Sequence, residues 1–216
     1  MLNHKINSNL KYLRDQSLSS FRVLKDVHPL FQDLFKSLER YDFTAFKRGL
    51  SKQIKSNLKE WWINPDRGID QTEKLYAILF EYDYYIFRTN VEAMSYGIGS
   101  WENFKTHTNE FDMGYNYDFA GFEAAPGLTL KYYDALETLA NENLPEDLQM
   151  SGIYDAIGYQ ELISVYTFSG LVAIHEVFSE LNDQGLFDEI NVMNGFMILV
   201  GEHDSGSVYP VLIKGE

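Results

Sequence analysis

Three stretches of this 216-residue chain carry side chains able to do chemistry. Glu202-His203-Asp204 sets an imidazole between two carboxylates, the material of a metal site or a general base. His175, Glu176 and Glu180 fall in one stretch, His-Glu-Val-Phe-Ser-Glu, in which the two glutamates stand one helical turn apart and can grip a cation together. The third stretch runs from Phe111 to Glu123. It interleaves five rings (Phe111, Tyr115, Tyr117, Phe119, Phe122) with three acids (Asp112, Asp118, Glu123) and holds no base.

Each stretch also has a plainer reading. Along a strand, Glu202 and Asp204 share a face and His203 points away. Asp and Ser there also suit a hairpin turn, through hydrogen bonds to their own backbone. The helix bearing His175 lacks the second His that makes such a spacing a zinc site, so a solvated acidic face with His175 at the edge of the core is the simpler account. For residues 111–123, catalysis of the glycosidase kind needs two carboxylates held at a set distance. Binding needs only rings as anchors and acids as a rim facing a basic partner. A strand packing its rings inward needs neither. No Gly-x-Ser-x-Gly, Walker, His-Glu-x-x-His or Gly-x-Gly-x-x-Gly pattern occurs, and Gly97-Ile98-Gly99-Ser100 is too short to cradle phosphate.

The elements that must position these groups follow from periodicity. Phe43, Phe46, Leu50, Ile54 and Leu58 recur on one helical face, with Lys47, Arg48, Lys52, Lys55 and Lys59 on the others. Leu30, Phe31, Leu34, Phe35 and Leu38 form an earlier apolar stripe, with Pro29 suited to its first turn. The turn signal Asn64-Pro65-Asp66-Arg67-Gly68 closes this helical part. From Leu75 the period becomes two, predicting either two strands joined near Glu81-Tyr82-Asp83 or one long bent strand. Residues 91–127 read as one or two short strands with irregular loops, Leu128 to Asn143 as a short helix, and Leu144 to Tyr159 as a connector. Tyr159 to Asp183 is the clearest helix of the second half, with Gly185 as its stop. Phe196 to Val200 and Val208 to Ile213 predict a terminal hairpin, in which Pro210 argues for an edge strand. The order predicts an α+β fold: an antiparallel sheet covered by helices, with a basic helical segment at 1–62 and an acidic α+β domain at 63–216.

Charge divides along the same line. Residues 1–60 hold twelve Lys/Arg against six Asp/Glu, and residues 61–216 hold six against twenty-six, so +6 and −20 give the net −14. Such asymmetry suits a surface that meets an opposite charge. The basic helices could serve as a nucleic-acid or membrane patch, but the −20 segment would repel phosphate, and a basic face resting on the acidic part of the same molecule is simpler. The chain has no Cys, which excludes disulfides, thiolate zinc sites and a Cys nucleophile. The start, Met1-Leu2-Asn3-His4-Lys5, lacks a signal-peptide apolar run, and no apolar stretch reads as a membrane span. The expectation is a cytoplasmic protein without a cofactor, neither integral to a membrane nor bound to nucleic acid.

Three pieces of the second half carry a resemblance. Leu75-Tyr76-Ala77-Ile78-Leu79-Phe80, the helix ending Val177-Phe178-Ser179-Glu180-Leu181-Asn182-Asp183-Gln184-Gly185-Leu186-Phe187, and the stretch from Gly195 to Asp204 resemble the first strand, the helix end and the following strand of a bacterial family of small acidic single-domain proteins of unknown function. That family is similar in layout to the immunity proteins of bacterial toxin systems. The resemblance implies an acidic binding protein and carries over no catalytic residue; the basic N-terminal helices lie outside it.

The reading is therefore an antidote- or immunity-type protein whose acidic, aromatic face blocks a basic partner such as a toxin domain, through Asp112, Tyr115, Tyr117, Asp118, Phe119 and Glu123. The alternatives are a metal- or carboxylate-dependent hydrolase using Glu202, His203 and Asp204 or Glu176 and Glu180, which should then converge in one cleft, and a nucleic-acid or membrane adaptor acting through residues 1–60.

Overall fold

A computed structural model describes residues 2–64, 73–83, 90–101, 111–112, 117–119, 124–140, 144–149, 152–203 and 207–215. Three helices come first: α1 (Leu2–Val23), α2 (Pro29–Glu39) and α3 (Phe43–Asn57), the last ending in a π turn at Leu58–Trp62. Their starts follow local chemistry. Pro29 opens α2, where its missing N–H costs nothing. The Asp42 carboxylate accepts the N–H of Ala45 at 2.9 Å and caps α3. The apolar faces then lock together: Phe21 of α1 stacks on Phe35 of α2 at 4.6 Å between centroids.

The strands are β1 (Leu75–Tyr82), β2 (Glu92–Trp101), β3 (Phe111–Asp112), β4 (Tyr117–Phe119), β5 (Ala125–Thr129), β6 (Val192–Glu202) and β7 (Ser207–Ile213), in one sheet ordered β3-β7-β6-β1-β2-β4, with β5 also paired to β2. Helix α4 (Gly152–Asp155), helix α5 (Tyr159–Asp183) and the 3₁₀ turns Lys131–Ala140, Glu146–Leu148 and Leu186–Glu189 complete the elements of the described residues. The class is α+β and helices pack against the sheet. The sheet is mixed, however, where an antiparallel one was expected: β1 runs parallel to β6, Ile78 opposite Ile198 and Phe80 opposite Val200. A parallel pair needs a long crossover, and α5 lies within the return from β1 to β6. Periodicity within a strand carries no information about that non-local partner.

Other differences are local. Residues 92–101 form one ten-residue strand where short pieces were expected, and β1 runs unbroken to Tyr82; Tyr84 to Phe87, the continuation read from the sequence, lie outside the described residues. Strand β7 is one in from the edge, not at it. Its neighbour β3 covers only Ser207 and Val208. Farther along, the Asn3 side chain takes both the N–H and the C=O of Ile213, at 2.8 and 2.7 Å, and His175 Nδ1 meets the carbonyl of Val211 at 2.8 Å. Pro210, which has no N–H to offer, is tolerated between those partners.

One core runs through all of this. Ile6, Leu10 and Phe21 from α1, Leu50 and Ile54 from α3, and Phe178, Phe196 and Leu212 from the acidic part belong to the same buried cluster. Helix α5 is its spine. It is long and apolar enough to cross a bilayer, but 67% of its most apolar window is buried, as in a core helix. Gly185, in the left-handed region at φ 76°, lets the chain leave α5 where the sequence predicts.

Candidate functional site

The ring-and-acid stretch is divided by the sheet. Asp112 lies in β3 and Tyr117, Asp118 and Phe119 in β4, at opposite ends of the strand order; Tyr115 and Glu123 lie outside the described residues. Six strands laid flat would set these edges about 24 Å apart at ~4.8 Å per strand, whereas the five steps from Asp112 to Tyr117 reach at most about 18 Å. The sheet must therefore curl to bring its edges toward each other. That curl agrees with the burial of Ala77, Leu79 and Leu199, which alternate with the Ile78 and Phe80 row whose Phe80 ring meets Phe178 of α5.

The two ionisable clusters take structural partners. His203 Nδ1 lies 3.0 Å from the Glu81 carboxylate, and its backbone N–H donates to the Tyr82 carbonyl at 2.8 Å. Glu81 was not singled out by the sequence reading, because only the parallel register of β1 and β6 brings it there. Glu202 sits opposite Tyr82, and Asp204 lies outside the described residues. On α5, Glu176 receives Lys47 at 2.8 Å and Lys11 at 3.8 Å, while Glu180 accepts from Gln184. Among the described residues no three His, Asp or Glu side chains gather as a metal site requires. Lys11 and Lys47 thus place part of the basic N-terminal charge against the acidic part of the same chain.

His175, expected at the edge of the core, is 3% exposed. Burial pushes its pKa below the ordinary value, against the smaller opposing pull of the Val211 carbonyl and of Glu176. The carbonyl beside Nδ1 fixes the hydrogen on that nitrogen and leaves Nε2 facing Ser179 Oγ at 3.5 Å. Buried phenols line the next turns of the core. Tyr133 meets Tyr82 and Thr167 through its hydroxyl, Tyr166 donates to the Leu34 carbonyl, and burial raises all of their pKa values that shift. These groups hold elements together and offer no approach to a substrate.

An open site appears elsewhere, at a corner that the sequence marks only as a connector. The α1–α2 link turns through Asp26, which sits in the left-handed region at φ 59°, and it packs Val27 against Gly158 at the start of α5. Facing the link are the 3₁₀ turn Glu146–Leu148 and α4. Between them lies a cleft of about 540 Å³. Its walls include Val27, Pro29, Leu148 and Ala156, and its charged groups are Asp26, Asp147 and Asp155, with neither Lys nor Arg in the lining. His28 Nδ1 accepts the Leu30 N–H, capping α2, so Nε2 bears the hydrogen and looks toward Asp147 at 3.8 Å. Around the corner stand three of the exposed large apolar side chains: Ile157, 54% exposed, in the cleft wall; Tyr154, 43%, its ring edge-on to Tyr159; and Val23, 77%, at the end of α1. The corner thus sets carboxylates beside exposed apolar side chains.

Set against protein-family models, curated proteins and solved structures, the chain matches none of them.

Proposed function

We propose that this protein is a cytoplasmic binding protein of the immunity or antidote type, which blocks a basic protein partner such as a toxin domain by covering it with an acidic, aromatic surface. The supporting observation is a charge surplus the molecule cannot absorb. With 18 Lys/Arg against 32 Asp/Glu, carboxylates outnumber basic side chains by fourteen, and two basic residues of the N-terminal helices, Lys11 and Lys47, converge on the single Glu176. A surplus of this kind speeds encounter with a cationic protein and rejects anionic ones, while exposed rings and aliphatic groups hold the complex once formed.

The test is capture from the source cell on the immobilised full chain at low salt, followed by stepwise salt elution and assay of whether the captured protein loses its activity in the complex. The reading requires a basic protein that is retained at low salt, released as salt rises, and inhibited when bound. Recovery of no basic protein at low salt defeats it.

A further inference from the structure

The acidic corner has a shape that selects one kind of contact. We infer that the cleft between the α1–α2 link and α4 receives an arginine or lysine side chain projecting from a basic polypeptide, with Tyr154 and Ile157 on the α4 side holding the chain that carries it. This rests on the proposed function and names the place where it is carried out.

Three observations carry the inference. First, Asp26 comes from one wall and Asp147 and Asp155 from the other, with no Lys or Arg in the lining. A cation entering between the walls therefore meets carboxylates from both sides, and an anion is repelled by the same groups. Second, the remaining wall is aliphatic (Val27, Pro29, Leu148, Ala156), which suits the methylene stem of a long basic side chain while its head stays among the carboxylates. About 540 Å³ is room enough for one such side chain and its backbone. Third, Tyr154 and Ile157 stay exposed at 43% and 54%, two of five large apolar side chains among the described residues that do so. An exposed phenol beside a cation pocket can also stack on a guanidinium. His28 adds a hydrogen-bond donor on Nε2 that faces Asp147.

The occupant is a cationic polypeptide because net charge sets the same preference for the whole molecule: −14 overall disfavours nucleic acids and anionic lipid surfaces, and the cleft concentrates that preference at a point with walls. Small amines share the head-group chemistry but would leave Tyr154 and Ile157 uncovered.

The experiment uses the full chain and a fluorescein-labelled twelve-residue peptide of alternating Arg and Leu, with a Glu/Leu peptide of the same length as control, read by anisotropy at low and moderate salt. Three proteins are compared: the unaltered chain; a cleft variant with Asp26→Asn, Asp147→Asn and Asp155→Asn; and a distant variant with Glu92→Gln, Glu137→Gln and Glu189→Gln, which removes the same charge from other exposed positions. All six positions are exposed, so thermal melts should stay together and confirm folding. The inference expects the cleft variant to lose at least about tenfold in affinity, as for an interface hot spot, and the distant variant to lose less than about threefold through long-range charge alone. Tyr154→Ser with Ile157→Ser should weaken the Arg/Leu peptide further while leaving its salt dependence unchanged. Equal losses in the cleft and distant variants would overturn the inference and leave the broader reading standing. An unaltered chain that binds the Arg/Leu peptide no better than the Glu/Leu peptide at low salt would remove both.

Discussion

Helix α5 and the α1–α2/α4 corner use the same residue types to opposite ends. On α5, His175 is buried and bound to the Val211 carbonyl, and Glu176 is held by Lys11 and Lys47. At the corner, Asp26, Asp147 and Asp155 face a cleft with no Lys or Arg, and Tyr154 and Ile157 remain in water. An imidazole beside a glutamate on a helix looks like chemistry in the sequence, yet in the fold it is a brace between α5 and β7. The corner looks like a connector in the sequence and is the open surface. Ionisable groups are informative about function where the fold leaves them accessible and without a counter-charge, and informative about architecture where it does not.

The sharpest way to break this contrast is to overfill α5. A Cβ on Gly170 would lie 2.0 Å from the Tyr132 ring, which is itself buried, so Gly170→Ala should cost about 2–3 kcal/mol through overpacking, outweighing the ~1 kcal/mol that Ala gains in a helix. Calorimetry should show a net fall in Tm of roughly 2–8 °C for a chain of this size. Gly49 on α3 has nothing within 4 Å of the same added atom, and Gly49→Ala should raise stability by up to about 1 kcal/mol. If both substitutions shift Tm in the same direction, the packing assigned to α5 is wrong.

Acid offers a second test. The folded pKa of His175 lies below the ordinary value because burial disfavours the imidazolium. As pH falls through about 6.5, the unfolded chain takes up a proton that the folded chain refuses. Stability is therefore kept above that pH and declines below it, toward the folded value. Urea unfolding between pH 8 and 5 should show this decline, and His175→Gln should flatten it. An unchanged slope in the variant would place the titration on another group.

Smaller effects are expected where charge is exposed. Glu176→Gln removes the acceptor of Lys11 and Lys47, but its side chain is 36% exposed, so solvent screens the pair and the loss should stay at or below about 1 kcal/mol. Smallest of all, Tyr154→Ser with Ile157→Ser should shift stability by no more than about 0.5 kcal/mol, as surface substitutions do, while altering peptide binding. A loss of several kcal/mol there would make the corner part of the core and close the comparison.

Much of the fold was legible because its signals are local. The 3.6 period of α3, Pro29 at the start of α2, Gly185 after α5 and the alternation along β1 each depend on residues a few positions apart, and each element forms where those residues put it. The class, helices over a sheet, follows from their order. The partners of the ionisable groups were not legible, for the complementary reason. His203 gained Glu81 as partner through a parallel register spanning 122 positions, and Asp26 meets Asp147 across a cleft whose walls are separated by more than half of the chain. The signals that could have pointed to the corner were an Asp at a left-handed turn and two apolar residues, Tyr154 and Ile157, in a stretch without period, and neither is specific.

The amino-acid sequence by itself determined which segments coil, which extend, and that the later portion would carry a negative charge its own basic residues cannot balance. Tertiary structure decided the parallel pairing of β1 with β6, the placing of Asp112 and of Tyr117, Asp118 and Phe119 in strands that do not pair, the burial of His175 and the opening at Asp26. The reason is one of range: backbone conformation and net charge are set by neighbours along the chain, whereas burial and counter-charge are set by whatever the chain brings back from far away.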